Sequence, residues 1–364
     1  MRASPTFTEG HQRMKRHRGR QALCLLSIGL ALIGCYLTFL GISLYRDYER
    51  IPRELVIGNR DESLKALKER GLPFAFFVMG DTQLSGIAKR MLRAAAEKEK
   101  PSFAIIVGDF VKEPDLWRHR FFLREMAVEL SPSFPVLLVP GNHDIDYGSK
   151  IRDLSRRVTP EVYEGLYGRR SLDFVLNDCL FILCGVDLKQ PDEYLRYLRE
   201  TLSLKGGGRK AIFVFVHYPP RGLSSFINGP LPKEEVFYSL LETYRVTACF
   251  FGDYHGYWRG QRKGVTLIVS GGGGRFKGYQ PEWGKFHHIL KVTVEKDQLS
   301  EEIMVFPDRV ALKDSIEEMV FVKLLPIVEH RGWVLYGLFG LFLSWSGASV
   351  IIWIRGLRKR GRKW

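Results

Sequence analysis

FPVLLVPGNHD, from Phe134 to Asp144, sets an apolar run against a polar joint. Val136, Leu137, Leu138 and Val139 have the composition of a strand buried on both faces. Pro140 has no N–H to give to a ladder, so the strand ends there. Gly141, Asn142, His143 and Asp144 follow at its carboxyl end, where the loops of an open α/β sheet bind ligands. Working outward, four more apolar runs close on similar residues. Phe74–Met79 leads to Gly80-Asp81-Thr82-Gln83, and Phe103–Val107 to Gly108-Asp109. Ala211–Val216 leads to His217, and Thr247–Phe251 to Gly252-Asp253-Tyr254-His255. Helical patterns at 85–98, 115–130, 191–202 and 233–244 separate them, and a strand at 265–269 ends on Ser270 and four glycines. Strands alternating with helices imply parallel pairing, with helices over the faces. Two strand-only regions, 172–186 and a closing hairpin at 289–295 and 302–306, complete the expected fold: an α/β sandwich of two mixed sheets flanked by helices.

Two stretches of the 364 residues stand apart from this alternation: 22–45 and 332–354 carry no charged side chain. As a helix the first measures about 36 Å, enough to cross a hydrocarbon core of about 30 Å. It is longer than the apolar part of a signal peptide, and no small-x-small cleavage pattern precedes Arg46, which favours an uncleaved span. The second is too long and too free of charge for a buried core helix. The net charge of +15 gathers beside them: residues 1–21 carry +5 and residues 355–364 carry +6, leaving +4 for everything between. The high pI therefore reflects two tails rather than a nucleic-acid-binding face. Basic flanks stay cytoplasmic. The expected organisation is a basic tail (1–21), a transmembrane helix (22–45), a linker with a short helix (46–72), the sandwich domain (73–308), a connecting helix (309–331), a second transmembrane helix (332–354) and a basic tail (355–364). Both termini are then cytoplasmic and the domain exoplasmic. No N-x-S/T sequon occurs, which favours the periplasmic side of a bacterial inner membrane. Cys179, Cys184 and Cys249 lie in apolar, strand-like surroundings, and their odd count argues for buried thiols over a disulfide framework.

Order, spacing and residue type across the five strand ends resemble the calcineurin-like metallophosphoesterase superfamily, whose pattern is D-x-H, GD, GNH[DE], a lone H and GHxH. The resemblance runs from about Phe74 to His288 and is strongest at GNHD (141–144) and VFVHYP (214–219). It implies a metal-dependent phosphoric ester hydrolase with two divalent cations. One is implied to be held by Asp81, Gln83, Asp109 and His255, the other by Asp109, Asn142, His217 and Asp253, with Asp109 bridging. Two dications about 3.5–4 Å apart clamp phosphoryl oxygens and acidify water, and a shared carboxylate offsets their repulsion. His143 is implied to serve the leaving oxygen rather than a metal, with Asp144 orienting it and raising its pKa. Asn142 and His143 would also contact substrate.

Two departures bear on the metal. Gln83 stands where the pattern has His, and Asp253 where GHxH has its first His. Two imidazoles become oxygen donors, which favours Mn²⁺, then Fe²⁺ or Mg²⁺, over zinc. Each ligand position still holds a competent donor, which argues against a degenerate, inactive site. Phe110-Val111-Lys112-Glu113 replaces the VDRG of serine/threonine phosphoprotein phosphatases, which argues against a phosphoprotein substrate. The weak charge of the domain argues against nuclease activity.

Ser270–Gly274 resembles a loop that follows GHxH in this family, and without Cβ atoms its backbone can approach a ligand closely. Tyr257, Trp258, Arg259, Arg275, Phe276, Tyr279 and Trp283 lie around it. Aromatics with arginines suit a rim at a membrane surface, with Arg275 as a substrate contact; core packing is the alternative. His287 and His288 fall near the start of a late strand, behind the ligands. Tethering at both ends raises the effective concentration toward substrates in the bilayer. The expected substrate is therefore a phosphoester or pyrophosphate of a lipid headgroup or lipid-linked glycan. The alternatives are soluble phosphomonoesters or nucleotides, and a non-catalytic metal-bound scaffold.

Overall fold

The structure, a computed structural model, describes residues 7–51, 57–67, 71–84, 86–148, 150–274 and 284–361. In chain order its elements begin with α1 (Phe7–Glu49), α2 (Asp61–Leu67), β1 (Phe74–Met79), α3 (Gly86–Glu99), β2 (Phe103–Val107), α4 (Leu116–Arg124), β3 (Val136–Val139), α5 (Pro160–Tyr167), β4 (Leu172–Leu176) and β5 (Cys179–Cys184). They continue with α6 (Pro191–Lys205), β6 (Ala211–Val216), α7 (Glu234–Thr243), β7 (Ala248–Phe251), β8 (Tyr257–Arg262), β9 (Val265–Ser270), β10 (His287–Val294), β11 (Leu299–Phe306), α8 (Leu312–Glu318) and α9 (Leu325–Gly361). The expected strands appear within three residues of their expected bounds. The expected helix at 115–130 divides: Asp115 caps α4 through the Trp117 N–H, and Glu125–Leu130 continues as a π-helix. Two elements were not expected. Thr159 caps α5 with Pro160 in its first turn, a start signal that is legible in the sequence. β8 is an edge strand whose Gly260 and charged residues hide its alternation.

The chain divides into two compact units, Met1–Arg46 with Met319–Trp364, and Asp47–Glu318. In the first, Ser346 Oγ donates to the Ser27 carbonyl (3.4 Å), and a Cβ at Gly41 would lie 3.2 Å from Leu325 Cδ2, so α1 packs on α9. Among the described residues one segment, Gln21–Glu49, is a helix long and apolar enough to cross a membrane. It contains the whole of the expected first span, 22–45. The expected second span is helical within α9, whose helical geometry breaks at Arg331 (φ −139°), but it is not a second such segment. The expectation of one spanning helix at each end is therefore met at the N-terminal end alone.

The second unit is the sandwich. One sheet has the order β11-β10-β1-β2-β3 and the other β4-β5-β6-β7-β9-β8. β1, β2 and β3 run parallel, as do β5, β6, β7 and β9, while β10, β11, β4 and β8 pair antiparallel at or toward the edges. Period-two alternation decides what each face buries. In β6, Phe213 and Phe215 face the other sheet, whereas Ile212, Val214 and Val216 face the α6 and α7 side. The inter-sheet core is a phenylalanine cluster: Phe76 stacks on Phe103 (5.2 Å between centroids) and meets Phe181 and Phe213 edge-on (5.3 and 5.4 Å). The next inward position after Phe215 is His217, so the same alternation aims an imidazole at the top of the core.

Candidate metal centre

Parallel strands deliver their carboxyl-end loops to one edge, and the backbone ties those loops together. Asp81 N donates to Gly108 O, Gln83 N to Asp109 O, and Gly252 N to His217 O, each at 2.9 Å. Gly108 has φ +80°, and a Cβ there would run into the His217 imidazole. Asp81 (φ 56°), Gln83 (44°), Asp109 (51°) and Asp253 (62°) are all left-handed. Asp tolerates that region better than most residues, and strain of this kind gathers at functional sites.

The side chains form two adjoining groups. In one, His255 Nε2 lies 3.6 Å from Asp81 Oδ1 and 3.4 Å from Gln83 Nε2. In the other, His217 Nε2 lies 3.3 Å from Asp109 Oδ1, 3.3 Å from Asn142 Oδ1 and 3.8 Å from Asp253 Oδ1. Asp81, Asp109 and His217 each offer a ligand atom within 4.8 Å of the others, which joins the two groups. All seven residues expected as ligands are thus gathered at this edge. The Val107 carbonyl, 2.9 Å from His217 Nδ1, can only accept. Nδ1 therefore carries a proton, and the ring turns Nε2 toward the carboxylates, where a cation that displaces the Nε2 proton would find its lone pair. Asp81 is fully buried, and neither of its carboxylate oxygens has a hydrogen-bond partner among the described residues. An orphaned carboxylate beside like charges is a costly arrangement that a divalent cation resolves. The donor set fits the cations that the sequence implies.

Electrostatics carry the same message. Burial raises the Asp81 pKa well above the usual carboxylate range, opposed by attraction to His217 and helped by repulsion from Asp109 and Asp253. Burial and Asp109 raise Asp253. Burial and Asp109 push Asp144 up to about 7, against the N–H groups that it receives. Burial opposes a charge on His217, but Asp109, Asp81 and Asp253 together raise its pKa well above the usual imidazole value. Burial also opposes ionisation of Asp109, yet His217 and His143 hold it below the usual range. A raised folded-state pKa means that the folded state binds more protons, so its stabilisation is lost as pH rises through that value. For Asp144, from 3.8 to about 7, the loss is on the order of 4 kcal/mol. Asp81, Asp253 and His217 act in the same direction, while His119, pushed down to about 3 by burial, and His288, pushed down to about 4, act in the opposite one. Cation binding needs the raised acids and His217 deprotonated, so saturating Mn²⁺ is expected to raise the melting temperature more at pH 7.5 than at pH 5. Thermal melts with and without chelator check this, and a gain from Mn²⁺ that is no larger at pH 7.5 than at pH 5 would refute it.

Three expectations change in the structure. Asp144 does not orient His143; its carboxylate accepts from the N–H groups of Asp109 (2.7 Å), Gly141 (2.8 Å) and Val111 (3.1 Å). The group at His143 Nδ1 is instead the Lys112 carbonyl, while Nε2 points 3.8 Å from Asp109 Oδ2. A fully buried carboxylate is best satisfied by backbone N–H groups, here one from its own turn and two from the β2 loop, which leaves it nothing for the imidazole. The glycine run wraps Asp81: Gly273 N donates to Gly80 O (3.0 Å), and a Cβ on Gly271 would collide with Asp81 Oδ2. His287 and His288 hold that run in place, through Gly272 O (3.2 Å) and Ser270 Oγ (3.1 Å). The aromatic rim is not formed by β8: Tyr257 and Trp258 pack against the core clusters, and Arg259 pairs with Glu301 at 2.8 Å. Arg275, Phe276, Tyr279 and Trp283 lie outside the described residues. No feature of the sequence marks the carbonyls of Val107 and Lys112, because every residue has one.

Carboxylates, imidazoles and amides gathered at the strand ends of an α/β sandwich define a metal-dependent phosphoester hydrolase. The family model of the calcineurin-like phosphoesterases matches residues 74–257, half of the chain. The chain belongs to the calcineurin-like phosphoesterase family. Its fold is similar to that of the purple acid phosphatase PPD1 from yellow lupin (Lupinus luteus) seeds, with a TM-score of 0.50 and 14% identity over 66% of this chain and 53% of that one. Also similar are a dimetal phosphatase from Danio rerio (TM-score 0.47, 16% identity, 64% of this chain and 96% of that one) and GAP50, the anchor in the inner membrane complex of Plasmodium (0.48, 13%, 65% and 86%). A search of curated proteins found no match.

Proposed function

We propose that the chain is a two-cation phosphoesterase of the membrane surface, acting on a phosphoester or pyrophosphate of a lipid headgroup or lipid-linked molecule. The observation that carries the catalytic part is Asp81, buried with neither oxygen hydrogen-bonded among the described residues, beside Asp109 and His217. Asp81, Gln83 and His255 would hold one cation and Asn142, His217 and Asp253 the other, with Asp109 shared. When bound, such cations supply positive charge to phosphoryl oxygens and acidity to water. The remaining steps belong to the chain. The Lys112 carbonyl keeps the His143 proton on Nδ1, so Nε2 is the nitrogen that exchanges a proton with the leaving oxygen. Asp109 Oδ2 places negative charge 3.8 Å from that nitrogen. Asp144 holds the β2 and β3 loops together and so sets the distance between Asp109 and His143.

The membrane part rests on α1 and α9. α1 exposes Leu25, Leu32 and Phe39, and α9 exposes Trp333, Tyr336 and Leu341, side chains that suit hydrocarbon better than water. With 22–45 as a span and the basic tail 1–21 on the cytoplasmic side, residues 73–308 lie on the exoplasmic face. The test is reconstitution of chelator-stripped protein. Mn²⁺ is expected to restore p-nitrophenyl phosphate hydrolysis at least about tenfold better than Zn²⁺, because the donors are oxygen-rich. Restoration by zinc above manganese overturns the ligand argument. Short-chain lipid phosphates and diphosphates that turn over no faster than soluble phosphomonoesters would remove the membrane substrate.

A further inference from the structure

The β3 loop that carries Asn142 and His143 also carries positive charge that no catalytic role has used. Lys150 Nζ donates to the Asn142 carbonyl at 2.7 Å, one residue from His143. Lys189, on the loop after β5, donates from Nζ to the Tyr147 carbonyl at 2.7 Å. β5 runs parallel to β6, so its carboxyl-end loop lies at the edge that holds His217. The two lysines therefore reach the same loop from opposite sheets. Both are exposed, and among the described residues neither is in an ion pair. Two acids of the same loops accept from backbone N–H groups. Asp146, 5% exposed, accepts from Gly148 N, Lys150 N and Ile151 N and pairs with Arg157 at 3.3 Å. Asp187 accepts from Lys189 N. A buried carboxylate thus shapes the loop, and the loop's own carbonyls anchor the lysines, which leaves their charge for an outside anion.

The geometry points to Lys150 and Lys189 as the subsite for an anionic leaving group, which makes the preferred substrate a diphosphate rather than a phosphomonoester. The inference rests on the function proposed above, in which His143 serves the leaving oxygen. Charge beside His143 is charge on the leaving side. In the step, water gives its oxygen and one hydrogen to phosphorus and its other proton to solvent, the bridging P–O bond breaks, and the departing phosphate takes a proton from His143 Nε2, which His143 regains from solvent. A leaving phosphate keeps negative charge that two ammonium groups hold, whereas an alcohol gives them nothing to bind.

K150M, K189M, the double variant and K150R are compared with the unaltered full-length protein in detergent with Mn²⁺. Binding of methylenediphosphonate and of inorganic phosphate is measured by calorimetry, and turnover of inorganic pyrophosphate, farnesyl diphosphate and p-nitrophenyl phosphate by product release. The double variant is expected to bind methylenediphosphonate about tenfold more weakly and phosphate less than about threefold more weakly. The kcat/KM ratio of diphosphate over monoester should fall about tenfold, with K150R keeping most of it. Preference for farnesyl diphosphate over pyrophosphate assigns the lipid-borne source, and the reverse assigns the soluble one. Equal losses for both classes of ligand, or an unchanged ratio, overturn the inference and leave the hydrolase intact. Wild-type protein that holds methylenediphosphonate through the lysines but hydrolyses nothing would instead sink the proposed function.

Discussion

Asp109→Asn is expected to lower kcat/KM by about 10³-fold, the equivalent of about 4 kcal/mol in the transition state, and to reduce bound metal. Asp109 is the carboxylate on which both groups of donors converge. Its Oδ1 accepts from His143 N at 2.9 Å and lies 3.3 Å from His217 Nε2. An amide keeps the shape and suits the left-handed backbone at φ 51°, since Asn also tolerates that region. The substitution removes charge and little else. The metal-free variant should therefore melt no lower than the metal-free parent, because one of several crowded acids is gone. Metal content and thermal melts decide the matter: a variant that keeps full metal occupancy and full turnover would show that Asp109 is not shared between cations.

His143→Ala is expected to lower kcat by about 10² to 10⁴-fold with metal content unchanged. The side chain is 36% exposed and its Nδ1 is held by the Lys112 carbonyl, so truncation leaves little behind that is buried and unsatisfied. Loss should fall on kcat more than on KM, since the imidazole acts as the leaving oxygen gains charge. Activated substrates with good leaving groups should suffer less than alkyl esters, because they need less protonation. A metal-bound scaffold would be indifferent to the change. Full turnover in the variant would remove His143 from the chemistry, and loss of metal would make it a ligand.

Much of this centre was legible in residue order. The runs at 74–79, 103–107, 136–139, 211–216 and 248–251 are apolar throughout, as strands buried on both faces must be. A polar group at the end of each such run has nowhere to go but the common edge. That is why Asp81, Asp109, Asn142, His217, Asp253 and His255 could be named together, while the divalent cations came from the resemblance to the family. The error at Asp144 has the same root. An acid next to a histidine in sequence invites the pairing, but a tight turn folds adjacent side chains to different sides. The buried one takes the N–H groups of Asp109, Val111 and Gly141.

Composition and order alone settle the apolar faces, the strand ends, the donor types and a helix fit to cross a membrane, because each depends on residues within a turn or two of one another. Packing chooses the partners across the sheets. It sets Val107 O against His217 Nδ1 over 110 positions of chain, Lys112 O against His143, and the glycine run against Asp81. Those contacts join segments whose meeting depends on how two sheets stack over a phenylalanine core, and their acceptors are backbone atoms that every residue carries.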